Sequence, residues 1–518
     1  MLSASCALPC GTVVPGRIVK AAMTEGLADD WGYPTEELCR LYKLWSTNHN
    51  AGHMLLTGNI QIDRRYVERP GNVAIEPECP DPQLRLSKLK EFAAAAQQDG
   101  TLCFAQLSHG GRQSNVLVSL EALAPSSIKS ESLMPLPDAK EMTLEEIEDV
   151  VQRFANAALV CKQAGFAGVQ LHAAHGYLLS SFLSPRANKR TDKYGGDLSG
   201  RSLLLFEVLQ ACRKAVGNDY PLSVKLNSSD FQKGGFSEDD AMKIALQLEQ
   251  VGLDLLEVSG GSYENPSMML GPTGFAELQS VGKLGNATST QLREGYFLVF
   301  AEKMKASLNR LPLLVTGGFR SRHVMESALK SGACQFVGIG RPVCGMPDAV
   351  SKLLHGEIDE LPKYETLLQL PWYVRWLNYV ILGHLIKAGA FQMWTYRNLY
   401  RMGHGEKFTN EKDANMLADL LFMEKWHFAK AAKTRGLPNT VALEHWLTAI
   451  VQRTPQVILV LYLVDDAQQH MFNTNAAAQS RAVRLRSQNF PAGQHAPSVC
   501  EAGNCRQAPQ RVWAVHLW

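Results

Sequence analysis

Short β-rich apolar runs alternate along the chain with longer stretches in which apolar positions recur at helical spacing. The runs are RIVKAAM (17–23), HMLLTGN (53–59), LCFAQLS (102–108), GVQLHAA (168–174), PLSVKLN (221–227), LLEVSGG (255–261), LPLLVTGG (311–318) and FVGIGRP (336–342). They read as strands. The stretches between them carry helix signals. Thr143 with Glu146 three residues on is a capping box, and Ile147, Val150, Val151, Phe154, Ala158 and Cys161 fall on one face before Gly165 ends the helix. Ser237 with Asp240 opens another, which places Ile244, Leu248 and Val251 together and stops at Gly252. Eight strands, each followed by a helix, over about 340 residues, predict an α/β fold, a (β/α)8 TIM barrel. A doubly wound open sheet is the rival. It needs a GxGxxG turn after its first strand, and RIVKAAMTEG has none.

Beyond residue 355 the rhythm changes. Residues 364–450 are helical in pattern and include Trp372, Trp376, Trp394, Trp426 and Trp446. From about 471 periodicity is lost, and 471–518 holds five arginines, one acid and no lysine. The expected organisation is a barrel over 8–355, a helical extension over 356–450, and a poorly ordered tail over 451–518.

Composition narrows the function classes. Fifty-two basic residues against 50 acidic ones give no electrostatic case for nucleic acid or a membrane surface. Eleven scattered cysteines with no CxxC pair fit a reducing, cytoplasmic setting, and argue against a cysteine-built zinc or iron–sulfur site. The N-terminus has no basic segment leading into a long apolar run, so no signal peptide is expected. The apolar stretch 367–389 is interrupted by Arg375, Asn378, His384 and Lys387 and reads as a buried helix, and VILVLYLV (457–464) is too short to span a bilayer.

In a barrel, function sits at the C-terminal ends of the strands. These deliver Ala22, Met23 and Thr24; Gly58 and Asn59; Gln106, Ser108, His109 and Arg112; His172, His175 and Tyr177; Lys225 and Asn227; Ser259; Gly317 and Gly318; Gly340 and Arg341. Glycines after the last two strands let backbone N–H groups approach an anion, and Arg341 adds a charged fork, which suits a phosphate. The Gln106 amide donates and accepts at once, which suits a heterocycle; a satisfied core glutamine is as good a reading of that residue alone. LHAAHGYLLSSFLSP (171–185) poses the central question. A metal site needs further Asp, Glu or His ligands, and the neighbouring strand ends supply none. Two neutral imidazoles can instead donate to one oxygen and stabilise charge on a carbonyl, with Tyr177 near enough to deliver a proton.

The motifs GRIVKAAMTE (16–25), FAQLSHGGRQ (104–113), HAAHGYLLSSFLSPRANKRTDKYGG (172–196), VKLNSSDF (224–231), VTGGFRS (315–321) and GIGRP (338–342) occur in this order. Together they resemble the old yellow enzyme family, flavin-dependent ene-reductases also called NADH:flavin oxidoreductases. The stretch 371–407 is similar to that of fungal members. The resemblance implies FMN across the barrel mouth and NAD(P)H as reductant. By the same resemblance, Ala21, Ala22, Met23 and Thr24 line the flavin, with Thr24 also facing the substrate and Gly58 approaching by its backbone. Gln106 binds the pyrimidine edge, and Lys225 lies near the flavin. Gly317, Gly318, Gly340 and Arg341 hold the phosphate. His172 and His175 hold the substrate carbonyl oxygen, and Tyr177 is the proton donor. The implied partner is a small-molecule enone, such as a polyketide or alkaloid in fungal secondary metabolism, and an oligomer is compatible.

Four departures stand out. Thr24 replaces the cysteine of one subgroup, so thiol tuning of the flavin is not expected. Lys225 replaces a common arginine, keeping the charge but losing the fork. Ser199–Gly200 replaces an acidic–Asn pair. Gly26 falls where some members have a tyrosine, which suggests a roomier pocket. Alternatives are a redox-neutral or dehydrogenating flavoenzyme, a Schiff-base lyase built on Lys225, and a barrel kept only for binding.

Overall fold

Along each apolar run, successive side chains serve two different cores, as the two-residue period of a strand requires. In this computed structural model Leu55, Ala105, Leu107, Val169 and Leu171 face outwards into a layer shared with the helices. Val19, Met54, Leu56, Phe104, Leu255, Leu314 and Phe336 face inwards and pack against one another. Burial on both faces is why the runs are apolar throughout rather than alternating. The structure describes residues 1–119, 121–129, 136–260, 289–368, 383–410 and scattered positions between 418 and 430.

The strands are β1 (Ile18–Lys20), β2 (Met54–Leu56), β3 (Leu102–Ser108), β4 (Gly168–Ala173), β5 (Leu222–Asn227), β6 (Leu255–Ser259), β7 (Leu313–Thr316) and β8 (Phe336–Ile339). Each pairs in parallel with the next, and β8 pairs with β1, so the sheet closes into the expected eight-stranded barrel. Helices α1 (Glu36–Ser46), α2 (Pro82–Ala95), α3 (Leu144–Ala164), α4 (Leu198–Val216), α5 (Glu238–Gln250), α6 (Ser289–Ser307), α7 (Arg322–Lys330) and α8 (Ala349–His355) follow the eight strands in turn.

The local signals act where the spacing places them. The Glu146 N–H donates to Thr143 Oγ1 at 3.2 Å, and the Thr143 N–H donates to Glu146 Oε2 at 2.9 Å. Gly165 ends α3 at φ +91°, a conformation that favours glycine. Before β1, Cys6–Ala7 and Val13–Val14 form an antiparallel hairpin. Its neighbours Leu8 and Val14 join the inward-facing cluster and close the N-terminal end of the barrel.

In the extension, α9 (Gly383–Gly403) packs on α1. Arg40 donates to the Gly403 carbonyl at 2.5 Å, and a Cβ on Gly403 would lie 2.9 Å from Leu27 Cδ1. Trp394 is buried, with its ring centroid 5.0 Å from that of Tyr364. The chain divides into two units, Met1–Ile458 and Leu459–Trp518. The second unit, with the tail expected over 451–518, lies outside the described residues, as do Trp372, Trp376 and Trp446. Among the described residues no helix is long and apolar enough to cross a membrane.

Candidate active site

The barrel interior changes character as it rises from its apolar floor. The next inward positions are polar. Gln106 on β3 donates from Nε2 to Gln170 Oε1 on β4 at 2.6 Å. Gln170 Nε2 in turn donates to Ser223 Oγ at 3.1 Å and to Glu257 Oε2 at 2.9 Å. The Lys225 ammonium lies 3.0 Å from Glu257 Oε1. All five residues are buried, and their polar groups, taken out of water, are matched chiefly by one another, Glu257 Oε1 through the Lys225 charge. Gln106 and Lys225 are where the strand ends place them. Gln170 and Glu257, which hold them, were not singled out from the sequence, although a glutamine and a glutamate inside apolar runs are a usable signal.

One step higher stands the imidazole pair. His172 is in register with Lys225 across β4 and β5. Its Nε2 lies 3.3 Å from His175 Nδ1, and the two rings meet edge to face with centroids 5.2 Å apart. The outer nitrogens are met by serines: Ser108 Oγ is 3.4 Å from His172 Nδ1, and Ser259 Oγ is 2.8 Å from His175 Nε2. His175 has φ +63°, a strained conformation for a residue with a Cβ. Its backbone N–H donates to Asn227 Oδ1 at 3.2 Å, which helps to hold it there. Burial, reinforced by His175 and Lys225, pushes the His172 pKa well below the usual histidine range. Burial and then Lys225 do the same to His175. Both rings are therefore neutral at pH 7, each with one N–H to give. Tyr177 is buried beside them, its ring centroid 4.5 Å from that of His172.

The first strand supplies a wall. Gly58 donates to Glu25 Oε1 at 2.8 Å, and a Cβ at Gly58 would come within 2.5 Å of the Met23 carbonyl oxygen. Only glycine lets these two loops approach so closely. Tyr42 donates to the same Glu25 carboxylate, and Lys20 donates to the Leu56 carbonyl at 2.8 Å, so Ala21–Glu25 is fixed from beneath. Burial lowers the Lys20 pKa to about 8. Ala21 bonds through its backbone N–H to the Ile339 carbonyl at 2.8 Å, and Ala22 packs against the inward-facing cluster.

The ends of β7 and β8 lie side by side, with Thr316 in register with Gly338. Gly317 and Gly318 take φ +149° and +81°. A Cβ at Gly340 would sit 3.7 Å from Met23 Sδ and 4.0 Å from Ala21 Cβ. The structure thus brings Gly317, Gly318, Gly340 and Arg341 together, against the first-strand residues. The Arg341 guanidinium is 5.7 Å from the Phe391 ring centroid on α9.

The Thr24 side chain is held by a neighbouring loop. Its hydroxyl donates to Glu68 Oε2 at 2.8 Å, and Arg69 lies 3.8 Å from Glu68 Oε1. The Arg69 guanidinium stacks 3.3 Å from the centroid of Tyr396 on α9. Gly26 does not open a roomier pocket: a Cβ there would lie 3.4 Å from both Arg69 Cδ and Trp426 Cζ3. The extension occupies the space a larger side chain would take. The Ser199–Gly200 departure also has a cause, since a Cβ on Gly200 would collide with the Gly195 carbonyl.

A flavin mononucleotide needs a polar bed, an anion cradle and unmet hydrogen-bonding groups. The interior has all three. The Thr316 hydroxyl and both amide atoms of Gln61 are buried without a protein hydrogen-bond partner. Gln61 is in register with Ser108, so its side chain leaves the sheet on the side of His172. A buried amide left unmatched costs about 1–3 kcal/mol, which an inserted polar ligand relieves. Gln61 was missed in the sequence because it follows the strand end expected at Asn59.

The model of the NADH:flavin oxidoreductase / NADH oxidase family matches residues 12–360. The NADH-dependent flavin oxidoreductase iliE of Hypocrea jecorina (strain QM6a) is 31% identical over 403 residues, 74% of this chain and 97% of that protein. Among solved structures, 2-naphthoyl-CoA reductase in complex with 2-naphthoyl-CoA superposes with a TM-score of 0.60 at 26% identity, covering 70% of this chain and 53% of that one. The old yellow enzyme homologue from Zymomonas mobilis has the same fold, with a TM-score of 0.57 at 23% identity over 70% of this chain and 95% of that one. By the match over residues 12–360, the chain belongs to the NADH:flavin oxidoreductase / NADH oxidase family, oxidoreductases that use FMN with NAD(P)H as reductant.

Proposed function

We propose that the protein reduces the C=C bond of an α,β-unsaturated carbonyl compound. The observation that carries this is the convergence of His172 Nε2 and His175 Nδ1 to 3.3 Å in a neutral pair, His172 buried and His175 half-buried. One oxygen can accept from both at ordinary hydrogen-bond distance. Such a pair answers negative charge growing on a carbonyl oxygen, and burial strengthens each bond relative to water. A bound FMN would supply the hydride chemistry, with NAD(P)H as reductant and the β-carbon of the enone as acceptor.

The chain's own residues do the rest. Ala21, Ala22, Met23 and Gly58 would form a wall for the isoalloxazine, and Gln106 would bind its pyrimidine edge. Lys225 would supply positive charge near the flavin, and Gly317, Gly318, Gly340 and Arg341 would hold the phosphate. His172 and His175 fix the substrate oxygen, and Tyr177 delivers the proton to the α-carbon. Thr24, tied to Glu68, borders the substrate side. Arg69, Tyr396 and Trp426 stand beside it, so that the barrel expected over 8–355 and these described residues of the extension expected over 356–450 border one site. A conjugated enone on a fungal secondary metabolite fits this reading.

The test is the visible spectrum of the purified protein. Flavin absorption that bleaches with anaerobic NADH or NADPH and returns on adding 2-cyclohexenone is the expected result. A protein that binds FMN and bleaches, but is reoxidised only by oxygen, sinks the enone reading.

A further inference from the structure

The imidazole pair can serve one oxygen only if each ring carries its proton on the inner nitrogen. A neutral imidazole has one N–H and one acceptor nitrogen, and its neighbour decides which is which. For His172 the inner nitrogen is Nε2 and for His175 it is Nδ1; the two face each other at 3.3 Å. The outer nitrogens must then accept. The group at each is a serine hydroxyl, which can rotate to donate: Ser108 at 3.4 Å from His172 Nδ1 and Ser259 at 2.8 Å from His175 Nε2. An amide N–H would force the same choice but a carbonyl or carboxylate would force the opposite one.

We infer that Ser259 is a positioning residue that sets the tautomer of His175, donating to its Nε2 so that Nδ1–H faces the bound oxygen. The inference rests on the enone reading and deepens it. Ser259 ends β6 and is buried. The main chain pins it there, since the Ser228 N–H donates to the Ser259 carbonyl at 2.6 Å. Its hydroxyl therefore meets His175 from a fixed strand. The His175 backbone is held by its bond to Asn227, and its ring is met by His172 at Nδ1 and by Ser259 at Nε2. Ser108 plays the corresponding part for His172 at a longer distance, so Ser259 is the sharper case. A ring in the wrong tautomer turns a lone pair towards the substrate oxygen, and one of the two donors is lost.

The test uses the FMN-loaded full chain, labelled with 15N-histidine and saturated with 4-chlorophenolate. That oxygen accepts hydrogen bonds, and the molecule carries no reducible enone. Two-bond 1H–15N correlation spectra report which nitrogen of each ring is protonated, with His172→Gln and His175→Gln supplying the assignments. The expected result is His172 protonated on Nε2 and His175 on Nδ1. Ser259→Ala should leave His172 unchanged, move His175 to a mixture or to Nε2–H, and raise the phenolate Kd roughly tenfold, the loss of part of one hydrogen bond. Ser259→Thr, which keeps the hydroxyl, should restore both signals. A wild-type His175 protonated on Nε2 overturns the inference, as does an alanine variant with the wild-type tautomer and affinity. A protein that shows the expected tautomers but is not reoxidised by an enone leaves this inference standing and removes the enone reading alone.

Discussion

The Lys225 ammonium stands 3.0 Å from Glu257 Oε1, and Glu257 is fully buried. An amine engaged in an ion pair is the wrong setting for a Schiff base, which needs the nitrogen lone pair free. Lys225→Met should therefore not abolish a latent lyase. It should strand the Glu257 carboxylate in the barrel, at a cost of about 3 kcal/mol. Urea unfolding of the variant checks the loss, and borohydride with a carbonyl substrate should give no adduct at Lys225 in the native protein.

His172→Ala removes one of two donors to the substrate oxygen. Turnover of an enone should fall on the order of a hundredfold, with the flavin still bound. Tyr177→Phe keeps the ring beside His172 but removes the acid. It should slow flavin reoxidation by an enone more than flavin reduction by NADH, and stopped-flow measurement of the two half-reactions separates them.

Acid should destabilise the fold earlier than its net charge suggests. Burial lowers the pKa of His109 to about 4 and that of His53 to about 4. An unfolded imidazole titrates near ~6.5. Between that pH and about 4 the unfolded chain binds protons that the native one refuses. The stability these two groups contribute is thus complete above the unfolded value and is lost as pH falls through the window. Each contributes a slope of about 1.4 kcal/mol per pH unit. Urea midpoints at neutral and mildly acid pH should show this, and His109→Gln should flatten the dependence.

Gln61 trades stability for binding. Its amide is buried with neither atom matched by the protein. Gln61→Leu should raise the stability of the flavin-free protein by about 1 kcal/mol and weaken FMN retention. Thermal melts with and without FMN give both quantities, and a variant that loses stability in the flavin-free state contradicts the assignment.

The barrel was legible because each strand announces itself twice, by apolarity and by the turn that follows it. The imidazole pair and Tyr177 were legible because they lie within six residues of one another on one strand end. Gln170 and Glu257 were not, since their value lies in meeting each other across three strands, 87 residues apart. The extension misled at Gly26. A small residue reads as open space until Trp426, four hundred positions away in the chain (426 − 26), is seen filling it. Long-range packing of that kind leaves no periodic trace.

The hairpin that brings Leu8 and Val14 under the barrel closes its N-terminal end, so among the described residues the candidate site faces out at the C-terminal ends of the strands. On the proposed reading, whatever gives electrons and whatever takes them meet at that one end. The donor and the acceptor then stand in turn on the same group, and parallel lines in a double-reciprocal plot are the expected result.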